Sequence, residues 1–227
     1  MTDKSGPHGI LAIWHDMVAD HEQAVNNWYN HEHHSERLGI PGFHSARRHR
    51  ALAGEPGYFV FYETDDPSVL ESRAYLDRVD NPSPLTRLMM PHYRHTSRLV
   101  CERAQRFGDG HGGFVQTMRC VGEDFAGPAA AQGLAARAEA ALAEPGIVSV
   151  EIWNLDPLRT GVPTKEKKIR GEPDQMADGV IMVSGNDAAQ VTAAGQKHFD
   201  PAALQTDRLV QGPPDSGLYQ LIFTMGG

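Results

Sequence analysis

Cysteine is nearly missing: Cys101 and Cys120 are the only two in 227 residues. Two cysteines build no disulfide framework, which excludes the small secreted scaffolds held by such bridges. No apolar run approaches the ~20 residues of a bilayer-spanning helix, so a membrane partner is not expected. The opening residues, MTDKSGPHG, carry no signal-peptide core. A reduced, cytoplasmic compartment is the expectation. Positive charge is also in deficit. Lys and Arg total 21 against 29 Asp and Glu, a net charge of −8 with His neutral. That balance argues against a nucleic-acid surface. The glycine run Gly108-Asp109-Gly110-His111-Gly112-Gly113 lacks the order of a phosphate or dinucleotide loop and reads as linker. Neither HExxH nor CxxC occurs.

What is present is a chain long enough for a sizeable core, 40% hydrophobic, with 12 histidines. Nine of the histidines fall between His15 and His95. The apolar GILAIWHDM, Gly9 to Met17, reads as a buried strand. Asp20 and Gln23 have capping-box spacing for a helix from His21 to about Leu38, which Gly39 and Pro41 end. Strands follow at about Phe43–Ala51 and Tyr58–Thr64. A short helix opens at Asp66-Pro67, and a final strand runs from about Tyr93 to Glu102. The second stretch repeats this order. It has the strand GFVQTMRCV, an Ala-rich helix from Gly127-Pro128 to Leu142, the strand IVSVEIWNL and a polar loop over 156–178. The strand Gly179–Ser184, a helix over Asp187–Lys197 and the strand Gly217–Met225 complete it.

Both halves therefore read β-α-β-β-α-β. Pro41 and Pro145, each followed by Gly and a strand, lie 104 residues apart. A repeat of that length argues for tandem domains rather than a solenoid of short units. The expected fold class is α+β: tandem ferredoxin-like repeats, residues 1–106 and 112–227, joined by the polar segment Arg106–Gly112. Their sheets should pack against each other to cover their second faces.

The segment WYNHEHHSERLGIPGFHSARRH supplies Trp28, Tyr29, Glu32, His33, Pro41, Gly42 and Phe43. With YFVFYET and Pro82-Ser83-Pro84, it resembles the dimeric α+β barrel superfamily, particularly its EthD-like members. The resemblance covers about residues 8–104; the second half shares only the repeat order. It implies a fused pseudo-dimer with ligand pockets between sheet and helices. The superfamily includes cofactor-free monooxygenases, muconolactone-type isomerases, polyketide-tailoring enzymes and haem proteins, so it does not fix one reaction.

His31, His33 and His34 sit on one helix, where successive residues turn by ~100° and cannot share a face. His31 and His34 fall with Trp28 and Leu38; His33 falls with Tyr29. His15 lies within an apolar strand, on a face with Leu11, Ile13 and Met17, and needs a polar partner. On the second strand, His44, Ala46 and Arg48 share a face opposite Ser45, Arg47 and His49. In a 4-1-3-2 sheet that strand is an edge, so some of these polar groups should be solvated.

The candidate catalytic residues are His33, at the family-like position, and His15. Tyr29 and Arg48 would orient a substrate oxygen or hold developing negative charge. No cofactor is favoured. A divalent metal would draw on His15, His31, His34, His92 and His95. The basic run Lys165–Arg170 reads as a solvated loop or as a lid. The leading expectation is a small-molecule enzyme performing isomerisation, elimination or cofactor-independent oxygenation on an aromatic or polyketide-like compound. Two alternatives stand beside it: a metal-dependent lyase or oxygenase, and a non-catalytic small-molecule-binding or interaction protein. Homo-oligomerisation is plausible.

Overall fold

In the computed structural model, which describes residues 8–226, the alternation of GILAIWHDM becomes strand β1, Gly9–Met17. Ile10, Ala12 and Trp14 point to one side of it, Leu11 and Ile13 to the other. A helical segment follows in three pieces: α1 Glu22–Trp28, a π-helical turn Tyr29–His33, and α2 His34–Leu38. Asp20 does not cap it. The chain enters through a 3-10 turn at Ala19–His21, and no side chain caps either start. Gly42, at φ +91°, turns the chain into β2, Phe43–Ala53, which hairpins into β3, Tyr58–Thr64. Two further helices are each opened by a serine hydroxyl accepting a backbone N–H. Ser72 opens α3, Arg73–Asp80, and Ser83 opens α4, Pro84–Met89.

β4, Tyr93–Phe107, runs five residues beyond the expected Glu102. The second half contributes β5 Phe114–Cys120, α5 Pro128–Leu142 and β6 Ile147–Leu155. The expected loop 156–178 contains two short helices, α6 Pro157–Gly161 and α7 Lys165–Arg170, capped by Asp156 and Thr164. β7 Gly179–Gly185, α8 Ala188–His198, α9 Pro201–Thr206 and β8 Asp215–Gly226 complete the chain. The sequence reading of the first seven residues as lacking a leader lies outside the described residues.

The eight strands form one closed antiparallel barrel in the order β1-β3-β2-β8-β5-β7-β6-β4. The first four are neighbours as β4-β1-β3-β2 and the last four as β8-β5-β7-β6. This corrects the expectation of two sheets stacked face to face. The halves join edge to edge, β2 on β8 and β4 on β6, so no edge is left unpaired. It also corrects the expectation that the second strand is an edge, since β3 and β8 flank it: Ser45, Arg48 and His49 are buried, while His44 is solvated as expected of some of its polar groups. The linker shortens as well, because Arg106 and Phe107 pair with Glu151 and Val150.

The barrel interior holds Trp14, Phe59, Phe61, Trp153 and Tyr219, drawn from both halves. Two further apolar clusters lie outside it, each under the helices of one half. No helix among the described residues is long and apolar enough to cross a membrane. Expressing residues 1–107 alone would uncover the edges of β2 and β4 and half of the shared interior. Size-exclusion chromatography is expected to show aggregation or self-association. A monomeric, cooperatively folded fragment would contradict this account of the closure.

Candidate functional site

The π-helical turn decides which histidines face inward. One extra residue in the turn brings both His33 and His34 into contact with the barrel's outer face, and both are buried. Regular helix spacing had grouped His31 with His34; His31 instead faces solvent. The His33 ring packs on Trp28 with ring centroids 4.2 Å apart. His34 places Nδ1 3.0 Å from the Tyr62 hydroxyl and stacks on Phe223 of β8 at 4.7 Å.

His15 is fully buried on β1. Its Nδ1 lies 3.2 Å from the backbone oxygen of Asp16, an acceptor, so Nδ1 carries the proton. Nε2 is then free to accept from the Tyr29 hydroxyl at 3.4 Å, and Tyr93 donates to Tyr29 at 2.5 Å. The result is an ordered chain from Tyr93 through Tyr29 to His15. Burial raises the pKa of both phenols, so they remain O–H donors. Arg48 lies over the rings of Tyr29 and Tyr58, 4.2 Å and 4.4 Å from their centroids, and its Nε and Nη2 have no hydrogen-bond partner.

A small, partly open cavity of about 40 Å³ lies beside this cluster, between β1, the π-helical turn and α7. Tyr29, Tyr93 and His33 line it, with Leu11, Ile13 and Met90 as apolar wall. His15 and Arg48 do not reach it. Both stand one layer behind Tyr29, which corrects the expectation that they would touch a ligand directly. The charged lining is mostly cationic: Arg37, Arg98, Lys167 and Arg170 against the single carboxylate Glu166. Arg37 donates Nη2 to both carboxylate oxygens of Glu166, at 2.6 and 2.5 Å. Burial opposes the charge on Arg37, but Glu166 beside it raises its pKa. Burial, reinforced by Arg98, lowers Lys167 to about 8.

Sequence reasoning missed Arg37, Arg98 and Glu166. The spacing of Tyr29, His33 and Arg37 at i, i+4 and i+8 would have flagged Arg37. Glu166 lies in the Lys165–Arg170 run, which reads in the sequence as a solvated loop or a lid and folds as a wall of the cavity, nearer the second of these.

The five proposed metal ligands do not converge. His15 and His34 belong to the buried cluster, and His31 is exposed. His92 stacks on His21 at 3.5 Å, and exposed His95 pairs with Asp16 at 2.9 Å. Among the described residues, no three His, Cys, Asp or Glu side chains gather as a metal-holding group.

The buried histidines are neutral. Burial, with Arg37 and then His34 nearby, holds His33 well below the ordinary imidazole value. Burial and Arg48 do the same for His15. Burial lowers His34 and His49 to about 3. The unfolded chain protonates these rings near the ordinary value of about 6.5 while the folded chain does not. The folded state is therefore fully favoured above that pH and loses ground as pH falls. Each ring contributes a slope of up to about 1.4 kcal/mol per pH unit. Chemical denaturation between about pH 7.5 and 5 should show this steep acid loss. A flat profile would contradict the buried neutral rings.

No protein-family model matches the sequence, and no curated protein matches it. Solved structures do match its fold. An anthrone oxidase-like protein superposes with a TM-score of 0.62 at 15% identity, covering 98% of this chain and 94% of that one. A candidate monooxygenase from Fusobacterium nucleatum gives 0.58 at 11%, covering 97% and 95%. One from Lactobacillus acidophilus gives 0.57 at 8%, covering 96% of each. The chain thus shares its overall fold with these proteins.

Proposed function

We propose that this chain is a small-molecule oxygenase that ionises an aromatic or polyketide-like substrate and passes the anion to O2 without a bound cofactor. One observation carries the reading. His33, whose ring burial holds neutral and whose buried Nδ1 has no hydrogen-bond partner, lines a largely apolar cavity in which four cationic side chains face one carboxylate. A neutral imidazole takes a proton, and guanidinium groups hold the oxygen on which negative charge then develops. Transfer from a neutral substrate to His33 creates an ion pair, whose attraction offsets the burial that otherwise disfavours imidazolium. The Tyr93–Tyr29–His15 chain commits the Tyr93 proton to Tyr29, so its cavity end accepts from a substrate hydroxyl and orients it.

For a methylene flanked by aromatic rings the steps balance as follows. The His33 imidazole removes one C–H proton. The carbanion adds to O2, and imidazolium protonates the resulting peroxide. Loss of water with the second hydrogen leaves a ketone, so CH2 plus O2 gives C=O plus H2O. The fold shared with an anthrone oxidase-like protein and with monooxygenases supports oxygenation over isomerisation or elimination, which would begin with the same proton transfer.

On the same reading, residues 1–106 and 112–227 are tandem ferredoxin-like domains forming a pseudo-dimer, the first of them EthD-like. In support, Gly42 and Gly146, at φ +91° and +75°, precede the corresponding strands β2 and β6. The test is an oxygen electrode with anthrone and hydroxylated anthrones, using untagged protein whose metal content has been measured. One O2 consumed per ketone formed, unchanged by chelators, is expected. Turnover without O2 uptake would replace oxygenation with isomerase or lyase chemistry. Loss of turnover on chelation would restore the metal reading.

A further inference from the structure

Glu166 is the one carboxylate in the cavity wall, and both of its oxygens accept from the single Nη2 of Arg37. Yet Arg37, only 3% exposed, still has a buried Nη1 with no hydrogen-bond partner. Arg170, 8% exposed and also in the wall, likewise keeps Nε unpartnered. Its other contacts run to Asp174, outside the cavity lining, and Arg98 donates to the Tyr75 hydroxyl. The wall therefore holds more buried N–H donors and more positive charge than its own residues satisfy. Buried donors of this kind are normally paired. A ligand carboxylate that took both Nη1 and Nη2 would make the two-point match to the guanidinium that Glu166, held by Nη2 alone, leaves unmade.

We propose that Arg37 is the docking point for a carboxylate on an aromatic substrate, and that Glu166 is an internal stand-in which that carboxylate displaces. The inference rests on the reading that this cavity is the substrate site. It also accounts for how an aromatic ring enters a space of about 40 Å³. Glu166 rides on α7, a six-residue helix that Thr164 caps and Gly171 ends at φ +80°. Its ion pair with Arg37 ties α7 to α2. A ligand carboxylate that takes over Arg37 releases that tie, and α7 moves outward as the ring comes in. Arg170 and Arg98 then offer donors to a second ligand oxygen, such as a phenol beside the carboxylate.

The probes are salicylate, which carries both groups, and neutral salicylamide, with binding read by calorimetry and by quenching of the buried Trp28. Salicylate is expected to bind at least tenfold more tightly than salicylamide, and Arg37→Gln should abolish that preference. Glu166→Gln should tighten salicylate at least tenfold, because the competitor is gone. It should also lower the melting temperature of the free protein, and salicylate should restore it. Restoration separates a stand-in from a purely structural ion pair, which salicylate would not rescue. Equal binding of the two probes, binding of neither, or unchanged salicylate affinity in Glu166→Gln would each overturn the proposal. Salicylate binding by these rules without O2 uptake from any substrate would leave the docking point standing and remove the oxygenase reading instead.

Discussion

Replacing His33 with Gln is expected to lower the single-turnover rate of product formation by roughly 100- to 10,000-fold, the range for loss of a general base. Gln keeps a polar group in the helix wall, so the melting temperature should stay close to wild type. The same change at His15 should cost less. His15 does not reach the cavity and acts only through Tyr29 and Tyr93, at 3.4 and 2.5 Å. Tyr93→Phe removes the cavity end of that chain and should raise KM more than it lowers kcat, because it orients rather than takes a proton. A His33→Gln protein with a near-normal single-turnover rate would remove the assignment. A His15→Gln protein that loses more than His33→Gln would move the base from the helix to the strand.

Arg103→Met is expected to produce the largest loss of stability. Arg103 lies at the seam where β4 meets β6. Its Nε donates to Glu151 at 2.7 Å, and a second nitrogen donates to Glu63. Glu151 is fully buried and also accepts from the Trp153 indole at 2.8 Å. Removing the guanidinium leaves Glu63 with Arg47 and leaves the enclosed Glu151 with the longer contact to Arg106 at 3.6 Å, a loss that approaches the cost of about 3–5 kcal/mol for breaking a buried pair. At about 2–4 °C per kcal/mol for a chain of this size, the melting temperature should fall by roughly 6–20 °C.

The pH dependence supplies a second reading of that variant. Burial raises the pKa of Glu63, but Arg103 and then Arg47 outweigh it and hold the carboxyl well below the usual range. Its contribution is present above the ordinary carboxylate pKa of about 4.3 and is lost as pH falls below it. The deficit of Arg103→Met relative to wild type should therefore shrink in acid. A deficit independent of pH would mean that packing, not charge, sets the cost.

The strands were legible where one local signal decided the matter. IVSVEIWNL is β6 from its first residue to its last, and Gly127-Pro128 marks the start of α5, because a Pro at the first helical turn is unambiguous. The two Pro-Gly turns were visible for the same reason. Closure of the barrel was not, because pairing of β2 with β8 is a contact between segments far apart in the chain. The edge position expected for the second strand followed from treating one half alone.

The site was half legible. His33 and Tyr29 stood out by residue type and position, but which histidine faced inward depended on a π-helical turn that helix periodicity does not show. Glu166 was hidden because a basic run on a polar stretch looks solvated. Only the ion pair to Arg37, 129 residues earlier, turns that run into a cavity wall.

The central claim is that the cavity draws a proton from an acidic substrate and holds the anion it leaves. Para-nitrophenol tests this without any knowledge of the natural substrate, since its phenolate absorbs in the visible and its phenol does not. Titrated against saturating protein, bound para-nitrophenol should ionise about 1–3 pH units below the free compound, the shift that nearby cations impose. Arg37→Gln should reduce that shift. A bound phenol that titrates at or above its free value would show that burial outweighs the cations, and would contradict the account.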